Sequence, residues 1–100
     1  MKSFTEIYPT LKRVGNYRIV PVECNDGFQM SIQASEFHYC TPRDNTGPYC
    51  KFEIGYPSEP EDLILKYAED PAEPTGTVYG WVPVEVIDEV IEKHGGIKEV

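Results

Sequence analysis

The residue types best suited to chemistry are a histidine and two cysteines in the middle of the chain. His38 and Cys40 are separated by one residue, and Cys50 follows ten positions later. A structural zinc site usually presents ligand pairs separated by roughly two to four intervening residues, whereas here the only close pair is His38 with Cys40. A cysteine nucleophile needs a base brought to it by the fold, and no motif enforces that. The spacing favours small buried cysteines over a metal site.

Other catalytic motifs are missing from the sequence. It has no HExxH motif, no glycine-rich phosphate loop opening a helix and no Gly-x-Ser-x-Gly elbow. His94 closes the last predicted helix, where the helix dipole favours a cation. The acidic segment, Glu59 to Glu73, lacks the ligand spacing and central glycine of a calcium loop. We therefore expect no enzyme activity, no cofactor and no metal.

The loop from His38 to Lys51 collects residue types that suit a compact anionic ligand. Arg43 offers a guanidinium for phosphate, and Lys51 adds positive charge. Tyr39 and Tyr49 offer aromatic faces for a base. A ligand site here would need completion by a second subunit, since one sheet with one helix offers little concavity. The alternative is an ordinary hairpin loop whose tyrosines pack over the sheet edge.

Charge is distributed unevenly along the chain. The net charge is -8, and residues 59–92 hold ten carboxylates against the single Lys66. Such a chain repels the phosphates of duplex nucleic acid and attracts a basic protein surface. The alternative is that the charge only keeps the protein in solution. The candidate partner-binding residues are the carboxylates of the acidic segment: Glu59, Glu61, Asp62, Glu69, Asp70 and Glu73.

Composition indicates one folded domain with reduced thiols. With 100 residues, 40% of them apolar, the chain can bury a core without disulfides. Three cysteines do not form a secreted disulfide framework, so we expect a cytoplasmic location. Met1 to Leu11 is interrupted by charges, and no apolar run is long enough for a membrane span, so neither a signal peptide nor a membrane partner is expected. We divide the domain, 1–100, into a lead-in segment, 1–15, and a core, 16–100.

Alternation and turn residues predict three strands in the first half of the core. Tyr17 to Cys24 is β-branched and runs into Asn25-Asp26-Gly27, a typical hairpin turn. Phe28 to Ala34 returns with clean alternation of apolar and polar residues. Pro21 cannot donate to a sheet ladder, which places the first strand at an edge or a bulge. A third alternating strand is predicted from Cys50 to Tyr56.

The second half predicts one short helix, one strand and one long helix. Ser58 to Glu61 fits a capping box opening a short helix through Tyr67. Thr77 to Val82 is a fourth strand, in which Trp81 should plug the space between sheet and last helix. On that expectation, Trp81→Ala costs about 3 to 5 kcal/mol. The last helix should begin near Pro83 and end at Gly95-Gly96.

These elements predict an α+β fold. Its expected architecture is an antiparallel sheet of about four strands. The C-terminal helix packs on one face of that sheet, because both apolar surfaces are then buried against each other, and a short additional helix completes the domain. The strand order does not follow from the pattern.

The run Ser31 to Arg43, with Gly47-Pro48-Tyr49 and the ending Tyr79 to Val86, resembles small acidic proteins of unassigned function carried by tailed bacteriophages. The resemblance covers most of the chain from Tyr17 onward and brings no catalytic residues. It implies a binding role in a bacterial host cell, either blocking a host defence protein or sequestering a nucleotide signal. We therefore expect an inhibitor of a host protein with a basic surface. The alternative is a homo-oligomer that binds a nucleotide-like anion.

Overall fold

The computed structural model describes residues 18–35, 37–43 and 49–98. Within these ranges, four strands form one antiparallel sheet in the order β1-β2-β3-β4, followed by one α-helix. The predicted α+β arrangement is confirmed. The lead-in segment 1–15 and the loop residues 44–48 lie outside the described residues. The elements are β1 (Arg18–Glu23), β2 (Gln29–Ala34), β3 (Lys51–Gly55), a 3₁₀ helix (Leu65–Tyr67), β4 (Val78–Pro83) and α1 (Val84–Lys93).

The hairpin between β1 and β2 forms where the Asp-Gly signal predicts it. Gly27 takes the positive φ of 95° that the turn requires. The Phe28 amide donates to Asp26 Oδ1 at 2.9 Å, and the Cys24 amide donates to the Phe28 carbonyl at 2.8 Å. Because β1 is an edge strand, Pro21 is tolerated there, as predicted.

One apolar core lies between the sheet and α1. The alternation of β2 and β3 sends every second side chain into it, and α1 contributes its apolar stripe. The buried apolar side chains of these three elements are Met30, Ile32, Ala34, Phe52, Ile54, Ile87, Val90 and Ile91. None of the helices in the described ranges is both long enough and apolar enough to cross a membrane.

Helix α1 ends on the two glycines that predict its end. The Gly96 amide donates to the Ile91 carbonyl at 2.8 Å, and both Gly95 and Gly96 have positive φ values, 88° and 91°. The Asn25 amide then donates to the Gly96 carbonyl at 2.9 Å. This last bond places the helix end beside the β1–β2 turn.

The expectation that Trp81 plugs the core is wrong. In the β3–β4 ladder Phe52 pairs with Val82 and Ile54 with Tyr79, so Glu53 faces two residues, Gly80 and Trp81. This bulge breaks the alternation of β4. Tyr79 and Val82 are fully buried, whereas Trp81 is 47% exposed at a φ of 51°.

Three smaller expectations also fail. The Ser58 hydroxyl accepts from the Gln29 amide at 2.9 Å, so no capping box forms, although the predicted short helix is present as a 3₁₀ helix, Leu65–Tyr67. Cys50, expected to be buried, is exposed, whereas Cys40 is buried as expected. Tyr56, which shares the alternation of Phe52 and Ile54 in the predicted strand, is 61% exposed. Cys50 and Tyr56 both lie just outside β3, Lys51–Gly55, where the alternation of the strand no longer applies.

Candidate functional site

A charge cluster with a buried centre, His94 and Glu61, and two half-exposed members, Asp26 and Lys93, forms where the helix end, the first turn and the acidic segment meet. His94 Nδ1 lies 2.6 Å from Asp26 Oδ2, and His94 Nε2 lies 2.6 Å from Glu61 Oε1. Lys93 Nζ donates to Glu61 Oε2 at 2.9 Å. The imidazole also stacks on Phe28 with ring centroids 4.1 Å apart. We call Asp26, Glu61, Lys93 and His94 the His94 cluster.

The cluster corrects the expected role of Glu61. This residue was a candidate for the partner-binding surface, but it is 2% exposed. Its carboxylate accepts from the Leu63 amide at 2.9 Å as well as bonding His94 and Lys93. A buried carboxylate of this kind is held by several donors because an unpaired one is costly. Glu61 therefore holds the acidic segment to the helix end.

The hydrogen bonds of the cluster favour its charged forms. Burial disfavours charge on His94, but its bonds to Asp26 and Glu61 outweigh burial and raise its pKa above 6.5. Burial likewise opposes ionisation of Glu61, but bonds from Leu63, Lys93 and His94 lower its pKa below 4.5. The Phe28 amide, and then His94, lower the pKa of Asp26. The imidazolium is thus held between two carboxylates.

This geometry suits structural stabilisation better than acid–base catalysis. Both ring nitrogens of His94 already bond carboxylates, so neither is free to exchange a proton with a substrate. Burial, with Asp26 nearby, raises the pKa of the neighbouring Cys24 thiol to about 11. A thiol of that pKa carries little of the nucleophilic thiolate near neutral pH.

The His94 cluster predicts a specific dependence of stability on pH. The stabilisation by His94 is fully present below pH 6.5 and is lost as pH rises through its raised pKa. The stabilisation by Glu61 is present above pH 4.5 and is lost as pH falls through its lowered pKa. We expect the free energy of unfolding in urea to peak between these values and to decline on the alkaline side. An equal alkaline decline in His94→Gln would contradict this role of His94.

Of the four predicted ligand-binding residues, Arg43 and Tyr39 lie against each other, whereas Tyr49 is buried. Tyr49 is 7% exposed and packs on Phe52 with ring centroids 5.8 Å apart, so it presents no face to a ligand. Lys51 is exposed at the start of β3, where its carbonyl accepts from the Thr41 amide at 3.1 Å. Arg43 and Tyr39 come together, with the guanidinium carbon 5.4 Å from the ring centroid.

Tyr39 packs against the bulge of β4. Its ring stacks on Trp81 with centroids 4.9 Å apart, and the Trp81 amide donates to the Tyr39 carbonyl at 2.9 Å. A Cβ atom on Gly80 would lie 3.2 Å from Tyr39 Cβ, so glycine permits this close approach. The buried Glu53 carboxylate accepts from the Tyr39 amide at 3.3 Å. These contacts fix an aromatic pair on the protein surface.

An open groove of about 390 Å³ lies beside this pair. Its floor follows β4, because Ala68 bridges to Tyr79 and the Glu69 amide donates to the Val78 carbonyl at 2.9 Å. The lining combines three aromatic rings with one carboxylate. We call the following lining residues the aromatic groove: Tyr39, Tyr67, Ala68, Glu69, Gly80 and Trp81.

The other predicted acidic residues lie on the surface. Apart from Glu61, all are exposed, and none makes a salt bridge with another residue in the described part of the chain. Their carboxylates are therefore accessible to solvent, and Lys93 is close enough to two of them, Glu59 and Asp62, for their charges to raise its pKa. These five residues, Glu59, Asp62, Glu69, Asp70 and Glu73, form what we call the acidic surface.

The histidine and cysteine of the middle segment converge on a serine. His38 Nδ1 lies 2.6 Å from Ser35 Oγ, and Cys40 Sγ lies 3.2 Å from the Ser35 carbonyl oxygen. Among the residues that the structure describes, no group of three or more His, Cys, Asp or Glu side chains could hold a metal ion.

Comparison with protein-family models, curated proteins and solved structures finds no match to this chain.

Proposed function

We propose that the chain is a non-enzymatic binding protein, a phage-type inhibitor that docks on a basic surface of a host protein in the bacterial cytoplasm. The observation that carries this proposal is the acidic surface. Its five carboxylates are exposed and make no salt bridge within the described residues. An excess of exposed charge of one sign steers a partner of opposite charge and raises the association rate.

The aromatic groove supplies binding affinity, which rim charges alone provide only weakly. Charges at the rim of an interface contribute mainly to association rate, whereas buried aromatic anchors contribute most of the affinity. Trp81 and Tyr39 are surface aromatics held in fixed positions by their own stacking. Glu69 belongs to both features, because it lines the groove and forms part of the acidic surface. The proposed interface is therefore an aromatic anchor beside an acidic surface.

A second candidate is the sequestration of a nucleotide-like anion by an oligomer. The Arg43 guanidinium over Tyr39 favours it, since a phosphate and a base could engage these two side chains. Burial of Tyr49 removes one of the two aromatic faces on which this alternative depended. We rank it below protein binding for that reason.

A pull-down from bacterial lysate tests the first proposal. We expect capture of a specific partner at about 0.1 M salt and much weaker capture at about 1 M, because the screening length falls from about 10 Å to about 3 Å. A triple variant, Glu69→Gln with Asp70→Asn and Glu73→Gln, should lose most of the capture at low salt.

The control for that variant removes the same charge from α1. Glu85, Glu89 and Glu92 are all exposed, so their replacement by glutamine changes net charge equally without touching the acidic surface. We expect the control to retain its partner. Absence of any specific partner at both salt concentrations, or equal loss in both triple variants, would contradict docking through the acidic surface.

A further inference from the structure

Trp81 is held on the surface in a backbone conformation that side chains of its size avoid. Its φ of 51° lies in the left-handed region, where a bulky residue is strained. Such strain persists only where the surrounding structure imposes it, and it is concentrated at functional sites. Here the bulge opposite Glu53 and the bond from the Trp81 amide to Tyr39 impose it. The result is an indole that is 47% exposed at the edge of the aromatic groove.

Cationic side chains of the chain itself already lie over the other two aromatic rings of the groove, those of Tyr39 and Tyr67. Arg43 lies 5.4 Å from the Tyr39 centroid, and Lys66 Nζ lies 5.3 Å from the Tyr67 centroid. No cation among the described residues lies over Trp81, although indole is the best cation–π acceptor of the three ring types. Glu69 lines the same groove and makes no salt bridge with a described residue.

We propose that the groove beside Trp81 binds the guanidinium of an arginine on the partner's surface. The guanidinium stacks on the open face of the indole, and its N–H groups donate to the Glu69 carboxylate. This inference rests on the proposed function, since it specifies which group of the basic partner enters the groove.

Arginine fits this groove better than lysine does. Its planar guanidinium can stack on an aromatic face and still donate two parallel hydrogen bonds to one carboxylate. An ammonium is more strongly hydrated and offers no plane to stack. A nucleobase could also stack on Trp81, but the carboxylate of Glu69 would repel the phosphate that accompanies it.

The only tryptophan of the chain is also the residue at the proposed site. Its fluorescence can therefore report binding directly. The probes are a capped peptide, acetyl-Gly-Arg-Gly-amide, its lysine counterpart and guanosine monophosphate, each titrated at constant ionic strength. The proteins are the wild type, Glu69→Gln and Glu92→Gln. Glu92 is exposed on α1 and outside the groove, so its variant has the same net charge as Glu69→Gln.

We expect the arginine peptide to change the emission of the wild type saturably, with a Kd on the order of 1 to 10 mM. Glu69→Gln should weaken this binding at least about tenfold, and Glu92→Gln less than about twofold. The lysine peptide should bind at least about fivefold more weakly than the arginine peptide.

Four results would overturn the inference: no saturable change with the arginine peptide, equal binding of the lysine peptide, equal loss in both variants, or tighter binding of guanosine monophosphate. The same variants in the pull-down separate this failure from that of the proposed function. If Glu69→Gln still captures a partner as the wild type does, protein docking stands and the guanidinium site is wrong.

Discussion

Replacing Glu61 by glutamine should lower the free energy of unfolding by about 3 kcal/mol. The substitution keeps the shape of the side chain but removes the charge that both His94 and Lys93 bond. The His94 imidazolium, which is 6% exposed, then retains only Asp26 as a charged partner. Removing a charged partner of the buried His94 is costly because the imidazolium has already lost its water.

Urea unfolding at about pH 6 measures this loss, because His94 is protonated at that pH. A domain of this size is stable by only about 5 to 15 kcal/mol, so the expected shift is large. Glu92→Gln, on the exposed face of α1, is the matched control and should change stability by less than about 0.5 kcal/mol. Equal stabilities for the two variants would show that Glu61 does not hold the acidic segment to the helix end.

The His94 cluster has no signature in the sequence. The position of His94 on the apolar stripe of the last helix could be predicted from its spacing. Its partners come from a turn and a loop that are 68 and 33 residues away along the chain. Only the folded chain brings these three segments together. The local sequence pattern can therefore identify the histidine but not the two carboxylates that it bonds.

Local sequence signals predict a structural feature correctly where that feature depends only on the backbone conformation of the same residues. The Asp-Gly turn, the proline in the edge strand and the glycines after α1 each act through their own backbone conformation, and each has the predicted consequence. The predicted capping box does not form because Ser58 and Glu61 bond distant partners, Gln29 and His94, instead of each other. Tertiary contacts override a capping pattern when they satisfy the same groups.

Tyr79→Ala should cost about 3 to 5 kcal/mol, whereas Trp81→Ala should cost less than about 1 kcal/mol. Tyr79 is fully buried, and its hydroxyl donates to the Pro74 carbonyl. Its removal leaves a cavity under β4 and frees the end of the acidic segment. Tyr79→Phe isolates the hydrogen bond and should cost about 1 kcal/mol. A larger loss for Trp81→Ala than for Tyr79→Ala, measured by urea unfolding followed by circular dichroism, would contradict the bulged register of β4.

The position of Trp81 depends on that bulge, which is a property of strand pairing. Strict alternation from Val78 would put Gly80 and Val82 on the face shared with Val78, and Trp81 on the face shared with Tyr79. The extra residue in β4 instead puts Tyr79 and Val82 in the core together. One signal was present in the sequence, because a glycine inside a strand pattern often marks a bulge or a close backbone approach, and Gly80 does both.

Trp81→Ala measured by two methods, urea unfolding and partner capture at about 0.1 M salt, tests most directly whether Trp81 is a binding anchor. An anchor outside the core should leave stability within about 1 kcal/mol of the wild type, while partner affinity falls about thirtyfold, the loss typical of a hot-spot aromatic. A loss of several kcal/mol in stability, or unchanged capture of the partner by the variant, would contradict that role.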